Sequence, residues 1–387
     1  MKTLSRHSLL GGALTIIFFM LFLYFNWKPS TTDLLIATPY FVIIYFLIFN
    51  IGQPDISKQM REFVHLGNEK VLIFPIFLII ILFSYLLIYG NTPFEGSAGL
   101  FVFLLLFPVL TFLAFKKTKI VWSDFVVLLL FLIPATIISF EGNTSLPYKG
   151  SGFGSIYKIV IILATVYAFG IVRKIQDIGF YPVFNLKFLG IAIFSWLSFL
   201  GFVYIVGFIF GFIASNPFES FSINGIPPAV KELIRVFIGT ALFEELFFRG
   251  LIQNMLAKKI GQHGNWQKYW IVGFVLFLLL ALITGYSLNK ELFWFPSIIT
   301  ILLFLSAYFI EKKQVSVYGV YTALAITSIF FGLVHYHAGS IIFVGLASVA
   351  GWAYGYTYLK TKNVFYAALV HTLVNTCEFL FVLDGLK

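Results

Sequence analysis

The stretch VLIFPIFLIIILFSYLLIYG, residues 71–90, carries no charged side chain. A helix of that length rises about 30 Å, enough to cross the hydrocarbon core of a bilayer. A helix at the surface of a soluble domain has one apolar stripe and one polar face, whereas this segment is apolar all round. In lipid a segment of this kind has one viable form, because only a helix satisfies its own backbone polar groups without neighbours. The stretch therefore reads as a transmembrane helix.

Working outward, the same character recurs at 8–26, 33–51, 98–115, 120–140, 156–172, 189–214, 230–257, 269–286, 294–310, 318–336, 341–359 and 364–383. With 71–90 these make thirteen candidates, of which one or two are expected to be re-entrant or interfacial. The expected fold is an all-α polytopic bundle of about 12–13 spans. Composition agrees: 60% of the 387 residues are hydrophobic and 11% charged, against about 25% charged in soluble domains. The segment 8–26 is similar to a signal peptide, but it ends FNWKPS without a small-residue cleavage site, so it reads as a retained helix.

The net charge of +10 would suggest nucleic acid in a soluble protein. Here most of the basic residues fall in alternate loops, among them Lys58, Arg61, Lys116, Lys117, Arg173, Lys174, Lys258, Lys259, Lys312 and Lys313. That asymmetry obeys the positive-inside rule and places the N-terminus in the cytoplasm. The expected partners are membrane lipid and a peptide or protein substrate in or near it, with no nucleic acid. The expected location is a bacterial plasma membrane. The single cysteine, Cys377, excludes an intrachain disulfide and a thiolate metal cage.

Two long polar breaks interrupt the apolar pattern, 141–155 (EGNTSLPYKGSGFGS) and 215–228 (SNPFESFSINGIPP). The pair Pro227-Pro228 suits the start of a helix. The chain is therefore divided into a multi-span region 1–224, to which the sequence assigns no role, and a region 225–387. Up to residue 214 the spans hold almost no ionisable group apart from Asp124; the later ones hold nearly all of them.

A charge at mid-membrane costs about 2.5–3.5 kcal/mol on insertion scales, so each such group needs a partner or a function. FEELFFRG places Glu244, Glu245 and Arg249 inside one span. Glu245 and Arg249, four residues apart, share a helix face and can pair. Glu244 lies about 100° round the helix, outside that pair. A carboxylate in such a place is suited to taking and returning a proton. FGLVHYHAG ends a span with His335 and His337, where His335 could help hold a water and His337 reads equally well as interfacial. HTLVN places His371 and Asn375 four apart in the last span; they could donate to a developing oxyanion or simply join helices. Counted from the inner ends, His371 lies about 12 Å deep, Glu244 about 21 Å and His335 about 27 Å, so the spans must be staggered if the three share one water.

Together Glu244-Glu245-x-x-x-Arg249, Phe331-x-x-x-His335 and His371-x-x-x-Asn375 resemble the motif set of the CAAX protease and bacteriocin-processing family, which includes the Ras-converting CAAX endopeptidases and the Abi-type proteins. The resemblance covers about 225–387. It implies an intramembrane endopeptidase in which Glu244 is the general base for a water also held by His335. It further implies that His371 and Asn375 form the oxyanion hole and that Glu245 and Arg249 orient the site. Family members are often labelled metalloproteases, and a zinc ion would take Glu244, His335 and His371 as ligands. No H-E-x-x-H signature occurs, and metal-independent chemistry with no required cofactor is the preferred expectation. The competing readings are an ion-coupled transporter, whose proton relays also use buried Glu, His and Arg, and a non-catalytic Abi-type binding protein.

Overall fold

The computed structural model describes residues 6–25, 31–88, 98–115, 119–137, 153–209, 226–314 and 319–376. Most of the break 141–155, residues 215–225 and Cys377 lie outside the described residues, as do the ends of the segments 189–214 and 364–383. What is described is a polytopic helical bundle, as the apolar pattern predicts. Its helices are α1 (Arg6–Phe25), α2 (Thr31–Asn50), α3 (Pro54–Val64), α4 (Ile73–Ile88), α5 (Ala98–Ala114), α6 (Trp122–Ile137), α7 (Ile156–Thr165), α8 (Leu186–Ile209), α9 (Ile226–Val236), α10 (Leu242–Glu245), α11 (Asn254–His263), α12 (Trp266–Leu288), α13 (Phe295–Lys313), α14 (Val320–Val334), α15 (Ile341–Thr361) and α16 (Val364–Asn375).

Among the described residues seven helical runs are long and apolar enough to cross a membrane, including Asn68–Ile88, the described part of the opening stretch. Four shorter apolar helices accompany them: Gly99–Ala114, Trp122–Leu132, Ile156–Val172 and Val364–Asn375. Another run, Leu34–Asn50 followed by Pro54–Val64, turns through 96° at the break. Gly52 permits that corner, since a Cβ there would lie 1.7 Å from the Phe180 carbonyl oxygen. The outward faces are what lipid requires. On α12, Ile271, Val275, Leu279 and Ile283 form an exposed apolar stripe at four-residue spacing.

Two compact units emerge, Met1–Phe184 with Ile238–Phe243, and Asn185–Phe237 with Glu244–Lys387. In the first unit, Asp124 is fully accounted for. Its carboxylate takes a two-pronged pair from Arg173 at 2.7 and 2.8 Å and accepts from the Val121 N–H at 2.9 Å. Arg173, read from the sequence as a loop charge, is thus a buried structural partner. Buried tyrosines serve loose ends in the same way, Tyr167 donating to the Val71 carbonyl at 2.8 Å.

In the second unit a core of Phe304, Ala307, Tyr321, Leu324, Ala325 and Ile329 holds α13 against α14. Helices α14 and α15 approach closely through small residues, the general device of membrane helix pairs. A Cβ on Gly332 would fall 1.9 Å from Ser348 Oγ and 2.6 Å from the Val344 carbonyl, and one on Gly351 3.0 Å from the Ser328 carbonyl. The carboxylate of Glu311, buried at the end of α13, accepts the N–H groups of Gly319, Tyr321 (2.8 Å) and Thr322 (3.0 Å). It thereby satisfies the first turn of α14, whose donors have no partner within the helix.

Candidate active site

The segment 230–257, read as one span, is a continuous helical run of mixed pitch. A π-helical stretch, Phe237–Ala241, leads into the short α10, and a second one, Leu246–Gln253, succeeds it. Such stretches recur at functional sites because they shift the register of the helix and re-aim the side chains beyond them. Glu244 and Glu245 stand on the α-helical turn between the two.

Glu245 is fully buried and fully engaged. Its Oε2 lies 3.0 Å from Arg249 Nε, as the four-residue spacing predicts, and its Oε1 accepts from His371 Nδ1 at 2.9 Å. Arg249, with no exposed surface, donates from Nη2 to the Gly351 carbonyl at 3.2 Å. Its guanidinium sits 4.7 Å from the Phe331 ring centre, 5.5 Å from that of Tyr354 and 5.6 Å from that of Phe248, so three aromatic rings lie around it. His371 in turn stacks on Tyr354, 4.7 Å between ring centres and 8° between planes, with Phe331 edge-on at 5.8 Å. The imidazole is therefore fixed in place. Nδ1–H goes to a carboxylate, and Nε2 faces Asn375 Nδ2 at 3.1 Å.

Glu244 differs. Its side chain is 27% exposed, its Oε2 lies 3.9 Å from His371 Nε2, and that oxygen makes no hydrogen bond among the described residues. His335 binds the Phe331 carbonyl through Nδ1 at 2.7 Å, which leaves its Nε2 as an acceptor. Glu244 and His371 both lie near enough to act on it electrostatically. Its ring is 4.7 Å from that of Phe331, the side chain that also touches Arg249 and His371. His337 is exposed and tied to the Val334 carbonyl at 2.9 Å. The structure thus brings Glu244, Glu245, Arg249, His371 and Asn375 into one connected cluster, with His335 joined through Phe331. Glu245 and His371 meet directly, although the depths counted along the sequence for this stretch and for His371 differ.

Three contributors are not apparent from the sequence: Tyr354, the Gly351 carbonyl and Gln253. Gln253 donates to the Gly355 carbonyl at 3.0 Å, one turn beyond the Arg249–Gly351 bond. The legible signal is the matched spacing, since Arg249 and Gln253 are four apart and so are the small residues Gly351 and Gly355.

Zinc asks for three or four N, O or S donors at about 2.0–2.3 Å. Among the described residues no three His, Cys, Asp or Glu side chains converge in that way. Both nitrogens of His371 already face protein partners. The arrangement does not fit a zinc centre on Glu244, His335 and His371.

A family model described as "Type II CAAX prenyl endopeptidase Rce1-like" matches residues 227–317 and 309–377. Comparison with curated proteins and with solved structures returned no match. The matched residues begin at the Pro227-Pro228 pair and take in all three polar motifs. Over residues 227–377 this integral membrane chain is similar to the Rce1-like type II CAAX prenyl endopeptidases, in line with the resemblance that its three polar motifs carry.

Proposed function

We propose that the chain is an intramembrane endopeptidase that hydrolyses a peptide bond of a membrane-borne substrate with a water activated by Glu244. The observation that carries this is the contrast between two adjacent carboxylates. Glu245 is fully buried, ion-paired with Arg249 and hydrogen-bonded by His371, while Glu244 is 27% exposed with its Oε2 at 3.9 Å from His371 Nε2. Glu244 takes a proton from a water that His335 also holds through its accepting Nε2. The resulting hydroxide adds to the scissile carbonyl, and the oxyanion is received by Asn375 Nδ2–H and by His371. For this His371 enters the cycle already protonated, with Nδ1–H on Glu245 and Nε2–H free for the oxyanion, and it keeps both protons throughout. Glu244 then returns its proton to the departing amine, so the step begins and ends with the same enzyme.

The choice of a peptide bond rests on the family, and a C-terminal CAAX-type segment is the first substrate to try. In proteoliposomes carrying a farnesylated peptide with that ending, Glu244→Gln and His335→Ala are expected to reduce cleavage to background while their unfolding profiles match the wild type. Wild-type rates in both variants would overturn the assignment. Dialysis against a chelator, with metal content verified, is expected to leave cleavage unchanged. Loss of activity restored by zinc would contradict the metal-independent route.

A further inference from the structure

The family match begins at residue 227 and leaves the first seven apolar spans without a role. The short stretch Ile238–Phe243, which immediately precedes Glu244, packs within the first compact unit, although the chain on either side of it belongs to the second. Its Gly239 carbonyl accepts a hydrogen bond from Lys158 Nζ at 3.0 Å. The same ammonium lies 6.0 Å from the Phe243 ring centre. Ile238 is fully buried, and Gly154, held at φ +85°, faces it so closely that a Cβ would lie 3.0 Å from Ile238 Cγ2.

Gly239 is inside the π-helical stretch Phe237–Ala241. A π turn differs from an α turn by one residue of register, so relaxation to α geometry would rotate every later side chain by about 100°. That rotation would move Glu244 off the face where it neighbours His371. A cation donating to a carbonyl inside the stretch opposes such a slip. The position favours this function over a packing one, since a Cβ on Gly239 would meet nothing within 4 Å and the carbonyl is approached by a single long side chain.

We propose that Lys158 is a positioning residue, whose ammonium holds the Gly239 carbonyl and so fixes the π-helical register that presents Glu244. This rests on the proposed role of Glu244, but one arm of the test does not.

In nanodiscs, amide exchange across residues 237–246 is compared in wild type, Lys158→Met, which keeps the aliphatic stem, and Lys158→Arg. Exchange is expected to quicken about tenfold in Lys158→Met, the worth of one charge-assisted hydrogen bond, and to return in Lys158→Arg. Unchanged exchange in Lys158→Met overturns the proposal, whatever the enzyme does. In the cleavage assay, Lys158→Met is expected to lose about tenfold in kcat with KM within about twofold, because ground-state binding is untouched. Lys158→Cys in a Cys377→Ser background should behave likewise and recover on aminoethylation, which rebuilds a lysine analogue; Cys377 is the chain's one native cysteine. A wild-type kcat in Lys158→Met, or a loss confined to KM, also overturns it. Full activity in Glu244→Gln would instead remove the catalytic role of Glu244 and leave the exchange result to decide whether Lys158 holds the helix.

Discussion

Glu244 and Glu245 are adjacent in sequence and opposite in surroundings. Removing the charge of Glu245 leaves the Arg249 guanidinium buried with its carboxylate partner gone. Glu245→Gln is therefore expected to cost about 3–5 kcal/mol, read as a lowered unfolding midpoint in detergent. Glu244→Gln removes no hydrogen bond from its Oε2 and should stay within about 0.5 kcal/mol of the wild type while abolishing turnover. Equal midpoints for the two variants would contradict this division of labour. At this scale the helix period makes the local pairs legible: Glu245 with Arg249 and His371 with Asn375 both result from a spacing of four. The bond from His371 to Glu245 joins residues 126 positions apart, and no local period encodes it. Tyr354 is equally hidden, because one tyrosine in an apolar helix looks like any other lipid-facing or core ring until its stack on His371 is seen.

At the scale of elements, α14 is held at one end by Glu311 and along its length by close contact with α15. Glu311→Ala would strip three backbone donors of their acceptor, and the expected loss is at least about 3 kcal/mol, with Glu311→Gln milder because one acceptor oxygen remains. Gly332→Ala should destabilise by about 1–3 kcal/mol, since its Cβ meets the Val344 backbone. Gly355→Ala meets the ends of Leu324 and Gln253 side chains, which can move, and should cost less. Thermal unfolding of the four variants in one detergent checks the order. The apolar segments announce these helices, yet their finer form is not readable. Nothing in residues 230–257 marks the two π-helical stretches, because the same residues suit an α-helix and the difference is set by what packs around them. The right-angled run from α2 into α3 is half visible: Gly52 and Pro54 signal a break, but not the approach of Phe180 that fixes its angle.

For the molecule as a whole, composition decides the solvent, and the solvent decides which residues stand out. The first spans hold few charges: Asp124 is neutralised by Arg173, and Lys158 donates to the Gly239 carbonyl. The later spans keep charges that the bilayer penalises, and Glu244, Glu245 and Arg249 among them join His371 and Asn375 in one connected cluster. The basic loops predict a cytoplasmic N-terminus, so a tag at that end should resist protease added outside intact cells and be cleaved once the membrane is opened; cleavage from outside would reverse the topology. The central claim is that this cluster makes the protein a protease, and the most direct measurement needs no prior choice of substrate. Membrane peptides from cells bearing the wild type and from cells bearing Glu244→Gln at equal abundance are compared by mass spectrometry of their termini. The account predicts at least one membrane-anchored peptide that is shortened with the wild type and full-length with Glu244→Gln. Identical termini in the two sets would contradict it.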